Sequence, residues 1–185
     1  MKTVYITTPL DSATLERLNA GDRVMITGVI FTARDAAHKR MVHALHHKEE
    51  LPFDIRNQII YYSGPTPARP GYIVGSIGPT TSGRMDAYTP DMLEAGLKGM
   101  IGKGSRSPEV KDSIIKNRAV YFAAIGGAGA LISRKIKKSE VIAYEDLGTE
   151  AIHRLEVEDF PAVVVNDVHG NDLYQQGKAE YQIKK

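Results

Sequence analysis

The sequence predicts an α/β fold, and three observations predict it. Apolar, β-branched runs alternate along the chain with short amphipathic segments. Helix starts with a hydroxyl, a proline and an acid recur between those runs, at Thr89-Pro90-Asp91 and Ser107-Pro108-Glu109. No internal repeat or low-complexity stretch interrupts the alternation. A length of 185 residues fits one domain, residues 1–185, large enough to bury a core.

The elements follow in order. Val4–Thr7 reads as a first strand. Asp11 or Ser12 can cap a short helix through Leu18, ended by Gly21. Arg23–Thr32 is apolar and β-branched, hence a strand, and Asp35–Glu49 is a longer helix stopped before Pro52. Gln58–Tyr62 is a strand. Pro65–Gly71 holds three prolines and reads as an extended loop, followed by a strand-like run, Tyr72-Ile73-Val74-Gly75. Helices are expected from Thr89, as cap, through Leu97, and from Ser107 through Lys116. Between them Gly99–Gly104 is a short strand running into a glycine turn. Val120–Ile125 is a strand and Gly127–Arg134 a glycine-rich helix start. Glu140–Glu145, Ile152–Glu158 and Val163–Asn166 read as three further strands, His169–Asp172 as a turn, and the polar end from Lys178 as a fraying tail.

Composition narrows the function. Lysine and arginine total 24 against 22 aspartates and glutamates, so net charge makes no case for nucleic acid or a membrane surface. No apolar run has membrane-spanning length, and the first residues lack the layout of a signal peptide, so a cytoplasmic location is expected. Cysteine is absent, which excludes disulfides, a thiolate nucleophile and any cysteine-held zinc or iron–sulfur cluster on this chain alone.

The densest concentration of anion-binding groups is Gly78-Pro79-Thr80-Thr81-Ser82-Gly83-Arg84-Met85-Asp86. Two glycines allow a close backbone approach, three hydroxyls supply donors, and Arg84 can fork onto a carboxylate. The same residue types also suit a helix cap. A second group, Thr32-Ala33-Arg34-Asp35-Ala36-Ala37-His38, carries Arg34 at a strand-to-helix junction, where ligands of open α/β sheets bind; the alternative is a surface ion pair with Asp35. A third, Gly102-Lys103-Gly104-Ser105-Arg106, is an anion clamp or a solvated turn, and it lacks the lead of a Walker loop.

Two further patterns favour structural readings. Gly126-Gly127-Ala128-Gly129, with Asp146 downstream, imitates a dinucleotide fingerprint, but Ile132 takes the third glycine position and tight packing explains the glycines as well. His43 and His47 are four apart and could share a helix face; without an ordered H-E-x-x-H pattern a polar face is the better account of them and of neighbouring His38 and His46.

Together the runs TARDAAH, GPTTSGRMD, MIGKGSRS, IGGAGA and Leu147–Asp167 (LGTEAIHRLEVEDFPAVVVND) resemble the β subunit of class I fumarate hydratases and L-tartrate dehydratases, and the C-terminal domain of their single-chain versions. The likeness covers about Gly28 to Asp172. It implies a swivelling β/β/α domain with a central sheet, a smaller second sheet and a helical layer. It implies a hydro-lyase that adds water to, or removes it from, a small dicarboxylate. The expected reaction interconverts fumarate with L-malate, or else L-tartrate with oxaloacetate; a non-catalytic anion-binding module is a further alternative. The expected cofactor is a [4Fe–4S] cluster held by a partner α subunit, in αβ pairs that form a larger oligomer. By the same resemblance Arg34, Arg84 and Lys103 bind substrate, and Thr80 binds it and serves as the proton-abstracting base. Ser82, where many relatives carry alanine, leaves these roles untouched.

Overall fold

The computed structural model describes residues 2–125, 127 and 129–182. β1 (Thr3–Thr7) lies parallel to β2 (Arg23–Thr32), joined through α1 (Ser12–Arg17). The Asp11 carboxylate caps α1 by accepting the Thr14 N–H at 2.6 Å. β2 leads into α2 (Asp35–His46), then β3 (Ile59–Tyr61). A 3₁₀ turn over Ser82–Met85 precedes α3 (Thr89–Glu94), β4 (Gly99–Gly102), α4 (Pro108–Lys116) and β5 (Val120–Ala123). The chain ends with α5 (Gly129–Ser133), β6 (Ile136–Ala143), a 3₁₀ segment over Glu145–Glu150, β7 (Ile152–Asn166) and α6 (Leu173–Tyr181).

All seven strands join one hydrogen-bonded sheet in the order β1-β2-β3-β4-β5-β7-β6, and a further pairing joins β2 to β7. The pairings therefore close a ring: β2, β3, β4 and β5 run parallel, and antiparallel β7 links β5 back to β2. Two-residue alternation divides the side chains between two cores. Ile59, Tyr61, Ile101, Val120 and Phe122 join Ile26, Ile30, Phe160 and Val164 in one. Ile60, Tyr62, Met100 and Tyr121 face the other, against Met41 of α2, Met92 and Leu93 of α3, and Val110 and Ile114 of α4. Each such fully buried apolar side chain contributes about 1.5–3 kcal/mol. Helices α2, α3 and α4 thus cover one face of the ring, and the parallel strands all open toward the same edge.

Four elements differ from expectation. Tyr72–Gly75 is irregular, with bends at Ile73 and Gly75, because the preceding prolines remove strand donors and Tyr72 and Ile73 stay exposed. The two strands expected over Ile152–Glu158 and Val163–Asn166 are one, β7. Asp159-Phe160-Pro161 resembles a break, yet Asp159 takes a positive φ of 49° and donates its N–H to the Thr27 hydroxyl at 3.1 Å, so pairing with β2 carries across it. Thr89 lies inside α3; its hydroxyl donates to the Met85 carbonyl at 2.9 Å, and Tyr88 is the cap residue. The polar C-terminal segment forms α6, started by the Asp172 carboxylate, which accepts the N–H groups of Tyr174 and Gln175. Residues 183–185 of that segment, and Gly126 and Ala128 of the glycine-rich run, lie outside the described residues.

Candidate functional site

The carboxyl ends of β2, β3 and β4 bring the sequence-predicted residues together, where parallel strands expose free backbone and loops converge. Arg34 follows β2 as the residue before α2, in extended backbone, and its carbonyl accepts the His38 N–H at 2.9 Å. Beyond β3, the Ser63 hydroxyl donates to the Gly78 carbonyl at 2.7 Å, and the Thr80 N–H donates to the Tyr62 carbonyl at 2.8 Å. Beyond β4, the Lys103 N–H donates to the Thr80 carbonyl at 3.2 Å, and the Ser82 N–H donates to the Lys103 carbonyl at 2.9 Å. Thr80 and Lys103 are therefore held side by side by main chain, in a short parallel bridge centred on Thr81 and Lys103. Gly102 permits this: a Cβ there would overlap the Ser82 hydroxyl.

Asp35 joins the two arginines. Its Oδ1 forms an ion pair with Arg84 Nε at 2.9 Å, while Arg34 Nε stands 4.0 Å from Oδ2. The surface ion pair expected between Arg34 and Asp35 is thus only a distant one, and the closer partner of Asp35 is Arg84. Glu150 faces Arg34 Nη2 at 3.5 Å, and its other oxygen accepts the Ala36 N–H at 3.1 Å, anchoring the first turn of α2. The Glu145–Glu150 segment closes on Arg34: a Cβ at Gly64, beside the Arg34 side chain, would overlap the Thr149 carbonyl. The Arg34 side chain is 24% exposed and that of Arg84 50%, so Arg84 is the more open of the two. Lys103 is exposed, and among the described residues no carboxylate lies within ion-pairing distance of it. Thr80 is half-buried, and its hydroxyl makes no hydrogen bond within the described residues.

The hydroxyls of the motif do not cap a helix. Thr81 precedes the 3₁₀ turn without a side-chain cap bond, and the Ser82 hydroxyl pairs with the Tyr121 hydroxyl at 2.8 Å. Beneath the turn lies Arg106, a residue whose part sequence reasoning missed. Its side chain is wholly buried; Nε donates to Asp86 Oδ1 at 2.7 Å and Nη2 to the Thr89 hydroxyl at 2.6 Å. The guanidinium lies over the rings of Tyr62 and Tyr121, at 5.3 and 5.0 Å. Asp86 also accepts the Ser107 N–H at 2.8 Å. The Thr80–Asp86 motif is thereby bolted to the segment that carries Lys103.

Of the histidines, His38 is buried beneath Arg34, with Nδ1 at 2.9 Å from the Arg34 carbonyl and Nε2 unpartnered. Burial pushes its pKa down to about 4, so the ring is neutral. His43 and His47 do share a helix face, stacked at 4.0 Å. Among the described residues no three His, Asp or Glu side chains group as a metal site. In the glycine-rich run, Asp146 pairs with Arg40 on α2, and Ile132 is a core residue. A Cβ at Gly129 would crowd Ser76 and the Gly78 N–H, so close packing against the motif requires this glycine. Cavities of about 660 and 360 Å³ are lined, the first by Lys39, Arg40 and His43, the second by Thr66, Thr149 and His153, and none of Arg34, Thr80, Arg84 and Lys103 lines either.

Three cations, and a hydroxyl without a partner among the described residues, gather at the ends of these strands, and guanidinium and ammonium groups so placed can receive carboxylates. Residues 1–177 match the family model described as Fumarase C-terminus. The chain is 42% identical over 167 residues to the anaerobic class I fumarate hydratase of Escherichia coli (strain K12), covering 89% of this chain and 30% of that protein. It is 40% identical to fumarate hydratase 2 of Leishmania major, over 88% of this chain and 29% of that one. It is 35% identical to a putative L(+)-tartrate dehydratase subunit beta of Methanocaldococcus jannaschii, over 93% of this chain and 91% of that subunit. The chain belongs to the fumarase C-terminus family. It spans about 30% of the length of the class I fumarate hydratases it matches.

Proposed function

We propose that the chain is the β subunit of a [4Fe–4S]-dependent hydro-lyase that interconverts fumarate plus water with L-malate. The observation that carries this reading is the convergence of Arg34, Thr80, Arg84 and Lys103 at one strand edge, in a chain 42% identical to a fumarate hydratase. The cluster does not fit on this chain, which has no cysteine, so the reading assigns it to a partner α subunit. There it would supply the Lewis acid for the leaving hydroxyl.

This chain's own residues account for the other half of the chemistry. Arg34 and Arg84 receive carboxylates as bidentate forks and so fix the orientation of the substrate. In the dehydration direction the Thr80 oxygen takes the proton from the carbon beside one carboxylate. The electrons left behind build negative charge on that carboxylate, which Lys103 and Arg84 offset. An aliphatic hydroxyl is a weak base, so the role requires its oxyanion to be stabilised by those same cations. Among the described residues the hydroxyl has no hydrogen-bond partner, which leaves it free to reach a substrate.

L-tartrate is the second candidate substrate, favoured by the match to nearly the whole length of a tartrate dehydratase subunit named as beta. That match also supports a separate β chain working in αβ units. The swivelling β/β/α arrangement belongs to the same reading and is supported by the helical layer over one face of the strand ring. Among the described residues no helix is long and apolar enough to cross a membrane; a cytoplasmic location is part of the proposal.

Thr80→Ala in the assembled complex tests the base role. The expected result is a loss of kcat of at least about a hundredfold with KM little changed. An unaltered kcat removes Thr80 from that role.

A further inference from the structure

We infer that Asp35 is a positioning residue that presets the guanidinium of Arg84, and with it that of Arg34, for a dicarboxylate. This inference rests on the proposed function and extends it to a residue to which that reading gives no part. Asp35 opens α2 beside Arg34, and its Oδ1 takes Arg84 Nε at 2.9 Å. With the Asp35 carboxylate beside Nε, the two terminal nitrogens of Arg84 have no partner among the described residues, which leaves free the edge that forks onto a carboxylate. Arg34 shows the same arrangement in looser form: its Nε lies on the Asp35 side, and one terminal nitrogen faces Glu150 at 3.5 Å.

The second observation is an unsatisfied pair. Arg34 Nε and Asp35 Oδ2 are both buried without hydrogen-bond partners, 4.0 Å apart. Buried polar atoms in this state are costly and mark places that close up or take a further group. A small inward movement of Arg34 when a carboxylate arrives would satisfy both atoms, leaving Asp35 paired with both arginines on their Nε side.

Two opposing effects of Asp35 can be weighed. Its negative charge weakens the attraction of the site for a dianion, but the pair is part-exposed, with Arg84 half out in solvent, so screening keeps that effect small. Without the carboxylate, the long Arg84 side chain would have to be ordered by the substrate itself, which costs affinity. Ordering therefore outweighs charge attenuation.

The test is Asp35→Ala beside Asp35→Asn in the chain assembled with its cluster-bearing α subunit, with Arg84→Ala as reference and thermal melts of all three. Asp35→Ala is expected to raise KM for the dicarboxylate about tenfold while kcat falls less than about threefold. Asp35→Asn keeps an oxygen acceptor for Nε and loses the charge, so it should recover most of that loss at a similar Tm. A fall in KM in both variants would show that charge attenuation dominates and would overturn the inference. Equal KM values in the wild type and Asp35→Ala would overturn it as well. If Arg84→Ala itself leaves KM unchanged, the proposed substrate site fails, and the inference fails with it.

Discussion

His38 sits beneath Arg34 between the rings of Tyr62 and Tyr88, at 5.2 and 6.2 Å. Burial lowers its pKa from 6.5 to about 4. The unfolded chain therefore binds a proton at pH values where the folded chain does not, and acid favours unfolding. Stability from this residue is complete above about pH 6.5 and is lost as pH falls toward about 4, an effect of about 3 kcal/mol. Urea melts of the wild type and His38→Gln between pH 7.5 and 4.5 check this; the variant should lose much of the slope, and parallel slopes would contradict it. The placement of Arg34 and Lys103 just beyond strands was legible in the sequence from their neighbours, whereas the strand expected to lead into Thr80 and Arg84 is irregular. The placement of Glu150 was not legible, because Ala36, whose N–H it accepts, is 114 positions away and spacing carries no record of such contacts. It does lie inside the run LGTEAI, and an acid in an otherwise apolar motif was the available signal.

Among the elements, the link between the motif and the β4 loop is the one most open to test. Arg106, Asp86, Thr89, Tyr62 and Tyr121 form a buried polar group that fixes the turn carrying Arg84 against the segment carrying Lys103. Removing the guanidinium would leave Asp86, whose side chain is 17% exposed, without its cation and the Thr89 hydroxyl without its donor. Arg106→Met is expected to lower the unfolding free energy by about 3 kcal/mol, and Asp86→Asn in that background to restore part of it. A change below about 1 kcal/mol on chemical denaturation would show that the turn is held by its backbone bonds alone. Most strands and helices were legible from periodicity and caps. The exceptions share one cause, tertiary pairing that overrides local signals. β7 runs through Asp159 and Pro161 because β2 pairs along its whole length, and Tyr72–Val74 lacks a neighbouring strand despite its strand-like composition.

At the scale of the whole molecule, the strand ring and its helical layer hold the cationic cluster at the carboxyl ends of β2, β3 and β4. The α/β class followed from the alternation of elements, whereas closure of the ring through β2 and β7 depends on pairings more than a hundred residues apart. An exposed Lys103 and a half-exposed Arg84 are suited to a site completed by a second surface. The match to about 30% of a class I fumarate hydratase, and to 91% of a tartrate dehydratase β subunit, agrees with a chain that supplies part of a larger enzyme. The most direct test is an anaerobic assay of this chain reconstituted with a cluster-bearing α subunit, against fumarate, L-malate and L-tartrate. The predicted result is turnover of fumarate and L-malate by the complex, by neither subunit alone, with activity lost in air. A cluster-loaded complex that turns over none of these dicarboxylates, or an isolated chain that hydrates fumarate unaided, would contradict it.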